Sequence, residues 1–541
     1  MYRKTTTSSL RVAMKHFLER HGASIENTIS TFDRVIFKGH LNGFFPQGAF
    51  GRYLWQRGVL LKDTGKFFEN ETKRIRDHIE ALAAKAGRPV EYLASASTHR
   101  SGGSKEVLAQ RIAERDSVTA GLVCVFSVLE PCRSFAVVPN RMTHRLEVVR
   151  RKRKCLHFYL YLIDAEFGWM HVRIQSWAPY EIQVYVNGRE WLARQMDRVG
   201  IGYRRSDNKI VAVDDIAAVK ALCGTLAHTE WPAFLDRQAE MINPLLPSIR
   251  AAKFPGYWWV IDQCEYATDI LFRDRAALEA IKDDLVTASL TVLGAADVMH
   301  FLGRKPHHSF TGEVTIDSKK RPEGCRVRFR LKANAIKFYD HANVLRIETT
   351  INNPREFKVL RSADETGGLP RWCPMTKGVA NFWRYAEVAH AANGRLLEAL
   401  ARVPLTGEAV AELDALCQSA TSASGSRAAA FNPVALATAA LFAAVLSGDF
   451  AINGFRNRDL QGKLYPAAAT DAAEATRRTH RTSRLIAKLR GHGLITKVKN
   501  SRLYRINPRG YKAMGAAVRF RKADFPNHFR DLQAAIVSLA A

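Results

Sequence analysis

The sequence predicts an α+β protein of several domains, with a strand-rich central α/β body and a separate C-terminal module. Three observations carry that reading. At 541 residues the chain is longer than one hydrophobic core serves. Its 47% hydrophobic and 25% charged residues are the proportions of chains that fold. Apolar runs of period two, over 121–186 and again over 257–351, alternate with stretches of helical period. The expected divisions are a mainly helical region over 1–120, an antiparallel α+β domain over 121–255 and a second over 256–418. A linker over 419–432, a C-terminal domain over 433–523 and a tail over 524–541 complete the chain.

Charge narrows the class of partner. Eighty-one Lys and Arg against 52 Asp and Glu leave a formal charge of +29 and a pI near 10.0. Such a balance points to a polyanion, DNA or RNA. The longest apolar run, 435–446, is too short to span a bilayer, so no membrane partner is expected. The first nine residues lack the apolar core of a secretion signal. Eight cysteines without a C-x-x-C pair read as core thiols in a reducing cytoplasm. No P-loop, H-E-x-x-H, G-x-S-x-G or dinucleotide fingerprint occurs, which disfavours ATP-driven motors and those hydrolase classes.

In chain order, helical spacing opens at 12–20 and a strand follows over 31–41. A long helix over 64–86 ends at Gly87-Arg-Pro89. Six short strands are expected at 122–129, 133–138, 144–149, 155–163, 169–176 and 181–186. Between the third and fourth, Arg150-Arg-Lys-Arg-Lys154 reads as a loop reaching phosphates, with Arg151, Lys152 and Arg153 as candidate contacts, or simply as a hairpin tip kept soluble. Helices are expected at 188–199, 216–226 and 231–242. A second block of strands covers 310–316, 325–332, 335–339 and 344–351, after a helix at 276–293. Helices return at 378–401 and 407–419, and small polar residues over 419–430 mark the linker.

The C-terminal stretch is the most informative. From Ala475 to Ala523 there is no Asp or Glu, yet there are fifteen Lys and Arg. Thr482, Leu485, Ile486 and Leu489 recur at helical spacing and face a core, while Arg477, Arg481, Arg484 and Lys488 form a cationic stripe beside Arg478. Gly491 and Gly493 end the helix. Two short strands then flank a basic turn, Lys499-Asn-Ser-Arg502, and carry Lys497 and Arg505. The run LRGHGLITKV…RLYRINPRGYKA resembles the recognition helix and wing of bacterial winged-helix DNA-binding domains. That resemblance implies a helix in the major groove and a hairpin on the phosphates, with Arg477, Arg478, Arg481, Arg484, Lys488, Lys497, Lys499, Arg502 and Arg505 as contacts. A solvated basic face is the plainer reading of the same charges.

Candidates for chemistry lie in the body. On consecutive strands, Lys337 and Tyr339 share one face, and Arg346, Glu348 and Thr350 another. If these faces coincide, Lys337, Tyr339, Arg346 and Glu348 are cross-strand neighbours. A tyrosine beside a carboxylate and a cation can attack a phosphodiester, with Glu348 helping to hold a divalent metal such as Mg²⁺. The pattern IKFYD…LRIETTI resembles a strand pair of rolling-circle replication initiators. The plainer alternative is a solvent-facing ladder of charges. His171 is a candidate metal ligand, but its strand neighbour at i+2 is Arg173, not a second histidine. Glu313 and Asp317, with Lys319, loosely match metal-dependent nuclease cores. Aromatic residues interleaved with cations over 169–191 and 257–272 suit either base stacking or a core.

Across the whole chain, strings such as FGWMHVRIQSW, NGREWLARQ and VLRIETTINNPREFKV are similar to those of an uncharacterised bacterial family of basic, mobile-element proteins. That similarity assigns no activity. The expected function is nucleic-acid binding of the replication-initiator or transposase kind, with a transcriptional regulator or RNA-binding partner as the alternative. DNA versus RNA and the oligomeric state stay open.

Overall fold

The structure is a computed structural model that describes residues 14–46, 48–94, 104–307, 310, 312–321, 324–362, 369–402, 413–421 and 427–526. The fold is mixed α+β with a large multistranded sheet. The chain forms two compact units that interleave in sequence. An inner unit comprises Ile29–Ala267 and Thr350–Val388, and a terminal unit comprises Met1–Thr28, Thr268–Thr349 and Ala389–Ala541. This differs from the sequential domains expected, because strand pairing joins segments far apart in the chain.

The inner unit is built on β1 (Ile25–His40), β2 (Val90–Leu93), β3 (Gly121–Asn140), β4 (Arg145–Asp164), β5 (Gly168–Gln175) and β6 (Ile182–Asn187). A separate hairpin of β7 (Tyr203–Ser206) and β8 (Lys209–Val213) follows, then β9 (Trp258–Phe272). The strand order is β9-β1-β6-β5-β4-β3-β2. Four of the six expected strands are really two long ones. β3 and β4 pair without a break from Gly121–Asn140 to Arg145–Asp164, apart from a bulge near Leu122. The run Arg150–Lys154 is therefore the middle of β4, not a loop, and lies opposite Pro131, Cys132, Arg133, Ser134 and Phe135. Consecutive cations are tolerated because side chains on both faces of β4 reach water here, Arg150, Arg151, Lys152 and Lys154 being exposed although Ser134 and Phe135 opposite are buried.

One face of this sheet is apolar. Val172, Ile174, Val184 and Val186 are buried there, and helices Gly188–Val199 and Trp231–Ile242 pack on β5 and β6 with Trp191, Leu192, Trp231 and Leu235 buried. Both helices have the bounds their periodicity predicts. On the other face, helix Lys105–Arg115 covers the β3–β4 end over Cys124, Phe126, Tyr159 and Tyr161.

The terminal unit contains β10 (Val314–Arg321), β11 (Gly324–Leu331), β12 (Asn334–His341) and β13 (Val344–Ile351), in that order. Its C-terminal portion has one core. Leu441, Phe442 and Val445 of helix Leu436–Val445 meet Leu460 of helix Asn457–Leu464, Ile486 and Leu489 of helix Ala472–Gly491, and Met514 of helix Pro508–Arg519. Strands Ile495–Lys497 and Tyr504–Ile506 form a hairpin, and Phe455 bridges to Tyr504 on its far side. The described residues of the expected linker, 419–421 and 427–432, pack with this core. Ala420–Thr421 pairs with Arg427–Ala428, Phe431 is 4% exposed, and the Ala429 carbonyl lies 2.8 Å from His492 Nε2. Of the expected 407–419 helix, 413–416 are helical and 407–412 lie outside the described residues, as does the tail beyond 526.

Gly510 sits where helix Pro508–Arg519 meets Leu494, and a Cβ there would overlap the Leu494 carbonyl, a backbone atom that cannot swing away. Gly510→Ala is expected to destabilise this portion by about 1–3 kcal/mol, the usual cost of overpacking. A thermal melt with an unchanged midpoint would contradict that seating.

Candidate nucleic-acid interface

Helix Ala472–Gly491 starts at a well-formed cap. Asp471 accepts from the Glu474 N–H at 2.6 Å, and Glu474 accepts from the Thr470 N–H at 2.6 Å and its hydroxyl at 2.8 Å. These bonds, with Arg478, hold the Glu474 carboxyl down at about 2. Helix Asn457–Leu464 crosses it where Asn457 donates to Ser483 Oγ at 2.9 Å and Gln461 to Thr479 Oγ1 at 3.3 Å. Thr482, Ile486 and Leu489 are buried and Leu485 packs against the core, as the spacing requires.

The cationic side divides. Arg477, Arg481 and Arg484 are exposed, as are Lys497, Lys499, Arg502 and Arg505 on and around the hairpin. None of these seven has an ion pair or side-chain hydrogen bond among the described residues. Two expected members are placed differently. Arg478 makes two bonds to Glu474 Oε1, at 3.0 and 2.6 Å, donates to the Ala467 carbonyl at 2.6 Å and lies over the Tyr465 ring. Lys488 is half-buried with its ammonium 4.0 Å from the centroid of Phe431, and burial lowers its pKa. The hairpin turn is closed by Asn500 in the left-handed region, φ 54°, which asparagine tolerates.

The Tyr339 constellation also assembles. The Tyr339 hydroxyl donates to Glu348 Oε2 at 3.1 Å, and the Lys337 ammonium stands 2.6 Å from Oε1 and 5.6 Å from the Tyr339 ring centroid. Glu348 is 1% exposed, so this is no solvent-facing ladder. Arg346 does not join the group. It is held by Asp269 through Nε at 2.6 Å and Nη2 at 2.9 Å, both side chains being fully buried. A buried guanidinium requires such a bidentate partner.

The other candidates are not gathered into a centre. Glu313 is exposed beside Arg330, and Asp317 faces Arg328 across β10 and β11. His171 is boxed by aromatic rings, stacked on Tyr185 at 5.0 Å with Tyr161 at 5.2 Å. Among the described residues, none of His171, Glu313 and Asp317 belongs to a cluster of three ligating side chains. In the interleaved aromatic stretches, Tyr180, Trp191 and Trp259 are core, whereas Trp258 is 57% exposed.

Sequence reading missed a polar cluster on the inner unit's second face. Lys38 Nζ lies 3.2 Å from Asp262 and 3.8 Å from Glu181. Glu181 also meets Arg173 at 3.1 Å and His40 at 3.4 Å, and Lys377 reaches Asp262 at 3.3 Å. Burial outweighs Glu181 and lowers the His40 pKa. These residues come from five places in the chain. The one local signal was the pair of polar residues Lys38 and His40 at alternate positions of β1.

Searches against protein-family models, curated proteins and solved structures found no match to this chain.

Burial holds both His157 and His171 at about 4, below the ordinary 6.5. The unfolded chain therefore binds more protons than the folded one between pH 6.5 and 4, and stability falls as pH drops through that window. For one such histidine the loss from pH 6.5 to 5 is about 2 kcal/mol. His171→Phe keeps the stacking and removes one of the two groups, so its melting temperature should fall less between pH 7 and 5 than that of the parent. Equal falls would show that His171 takes no part.

Proposed function

We propose that this chain is a nucleic-acid-binding protein, DNA-directed and of the replication-initiator or transposase kind, whose C-terminal portion is a winged-helix domain that contacts duplex. One observation supports this above the others. Seven cations on one helix and the adjoining hairpin are exposed and lack acidic partners, in a protein where many other basic side chains have them. The order of elements fits as well: three helices of eight or more residues, Leu436–Val445, Asn457–Leu464 and Ala472–Gly491, with the four-residue helix Phe450–Asn453 and a one-residue strand at Phe455 between the first two, then the hairpin. In a winged helix the third helix enters the major groove, and here its outward positions are Arg477, Arg481 and Arg484. Lys499 and Arg502 at the hairpin turn would then lie along the phosphates, fixing register without reading bases.

A second reading, strand cleavage, is favoured by Tyr339, Glu348 and Lys337. In such a step the Tyr339 oxygen bonds to phosphorus while the bond to the leaving oxygen breaks. Glu348 takes the phenolic proton and returns it to the leaving oxygen, and Lys337 offsets the negative charge. Without that step the chain is a binder alone, a regulator or an RNA-binding partner.

Arg481→Ala with Arg484→Ala should weaken duplex binding and lower the salt slope by about 0.9 for each phosphate no longer neutralised, with the melting temperature unchanged. Fluorescence anisotropy across a salt series reads both. Unchanged affinity would move the interface elsewhere.

Tyr339→Phe should abolish nicking of supercoiled and single-stranded DNA, assayed with and without Mg²⁺, while binding is retained. If the parent nicks neither substrate, the binder reading stands alone. Nicking that survives Tyr339→Phe would remove the tyrosine from the chemistry.

A further inference from the structure

The inner unit carries a basic pocket that the winged-helix reading does not use. Its volume is about 370 Å³, and it lies between helix Thr64–Ala86 and the middle of β4, where the Ser176 N–H donates to the Leu156 carbonyl beside Trp177. Lys73 and Arg76, one turn apart on the helix, form one wall, and Arg153 and Lys154 form the other. Four cations thus face one carboxylate, Glu69. Lys73, Arg76 and Lys154 have no ion pair or side-chain hydrogen bond among the described residues.

The walls are fixed to each other. Thr72 Oγ1 donates to the Ser176 carbonyl at 3.0 Å, tying helix to strand at the pocket. The Trp177 ring stacks on Phe68 at 4.4 Å, its indole N–H donates to the Phe135 carbonyl, and the Arg153 guanidinium lies 3.8 Å from the ring centroid. Arg153 is therefore held against the ring before any ligand arrives, and a guanidinium held this way loses little freedom on meeting phosphate. Like charges brought together with so little compensation repel, and a bound anion relieves that repulsion.

We propose that this pocket binds the phosphodiester backbone of single-stranded nucleic acid. The proposal rests on the nucleic-acid reading of the chain and adds a second, strand-selective contact to it. A cavity of this size admits a group as large as one nucleotide, whereas a duplex offers a convex wall. Beyond the pocket the β3–β4 ribbon continues the charge with Arg133, Arg151 and Lys152, all exposed, so a backbone leaving the pocket meets further cations.

The test uses the full chain and two fluorescent probes, a short oligo(dT) and a duplex, by anisotropy over a salt series. Lys73→Ala with Arg76→Ala should weaken oligo(dT) binding by roughly ten-fold at low salt. It should lower the single-strand salt slope by about 0.7 for each phosphate no longer neutralised and leave duplex affinity unchanged. Both side chains are exposed, so the fold should persist, and circular dichroism checks it. Lys154→Glu, from the opposite wall, should do the same, and Lys73→Arg should restore binding. Oligo(dT) affinity unaltered by these variants would overturn the proposal. An equal loss on both probes would overturn its strand selectivity, and competition by inorganic phosphate as strong as by oligo(dT) would overturn the polynucleotide assignment. The two readings fail separately: a parent protein that binds oligo(dT) but no duplex upholds the pocket and rejects the winged helix. The converse rejects the pocket alone.

Discussion

A shortage of carboxylates governs this molecule. With 52 acids for 81 Lys and Arg, at least 29 basic side chains have no acid of their own. Where the acids go is therefore informative. Asp269 holds the buried Arg346, Glu348 meets Lys337, and Asp340, 1% exposed, takes Arg275 at 2.7 Å. An unpaired charge at such depth would cost several kcal/mol. At the surface a lone cation costs little, because water solvates it. These three acids sit where burial demands a partner, and among the cations left without one are those of the 472–491 helix, its hairpin and the pocket beside Trp177.

How much of this the sequence discloses depends on range. Helices Thr64–Ala86, Gly188–Val199 and Trp231–Ile242, and strand Val344–Ile351, lie where their periodicity sets them, because the pattern is local and each has a clear stop signal. The meeting of Lys337, Tyr339 and Glu348 is legible for a similar reason: alternation fixes faces, and only Ala342 and Asn343 separate β12 from β13. The partner of Arg346 is not legible, since Asp269 lies 77 residues away. Nor is the cluster of Lys38, Arg173, Glu181, Asp262 and Lys377, which depends on non-local pairing.

The errors have physical causes too. Five consecutive cations over 150–154 look like a loop to any rule that expects one buried face per strand. In β4 exposed cations occur on both faces even though Ser134 and Phe135 beside them on β3 are buried, so the rule does not apply. Small polar residues over 419–430 look like a linker by composition, yet Phe431 immediately after them fills the C-terminal core. It also provides the ring against which Lys488 lies, which removes that lysine from the stripe its spacing suggests. Arg478 leaves the stripe because Glu474, one turn earlier, is the nearest acid.

The way the chain enters its C-terminal portion sets how that portion can be cut free. Leu416, the short pair Ala420–Thr421 and Arg427–Ala428, and Phe431 all precede the first long helix, yet they belong with the helices and hairpin of that portion. A fragment trimmed to begin at Asn432 would leave a void where the Phe431 ring sits and an unpaired ring nitrogen on His492. Trimmed ahead of Leu413, it would keep both, yet helix Pro508–Arg519 would still lose the backbone of Leu290 and Thr291 against which Gly515 is seated, so the portion leans on residues more than a hundred positions earlier as well as on those that look like a hinge.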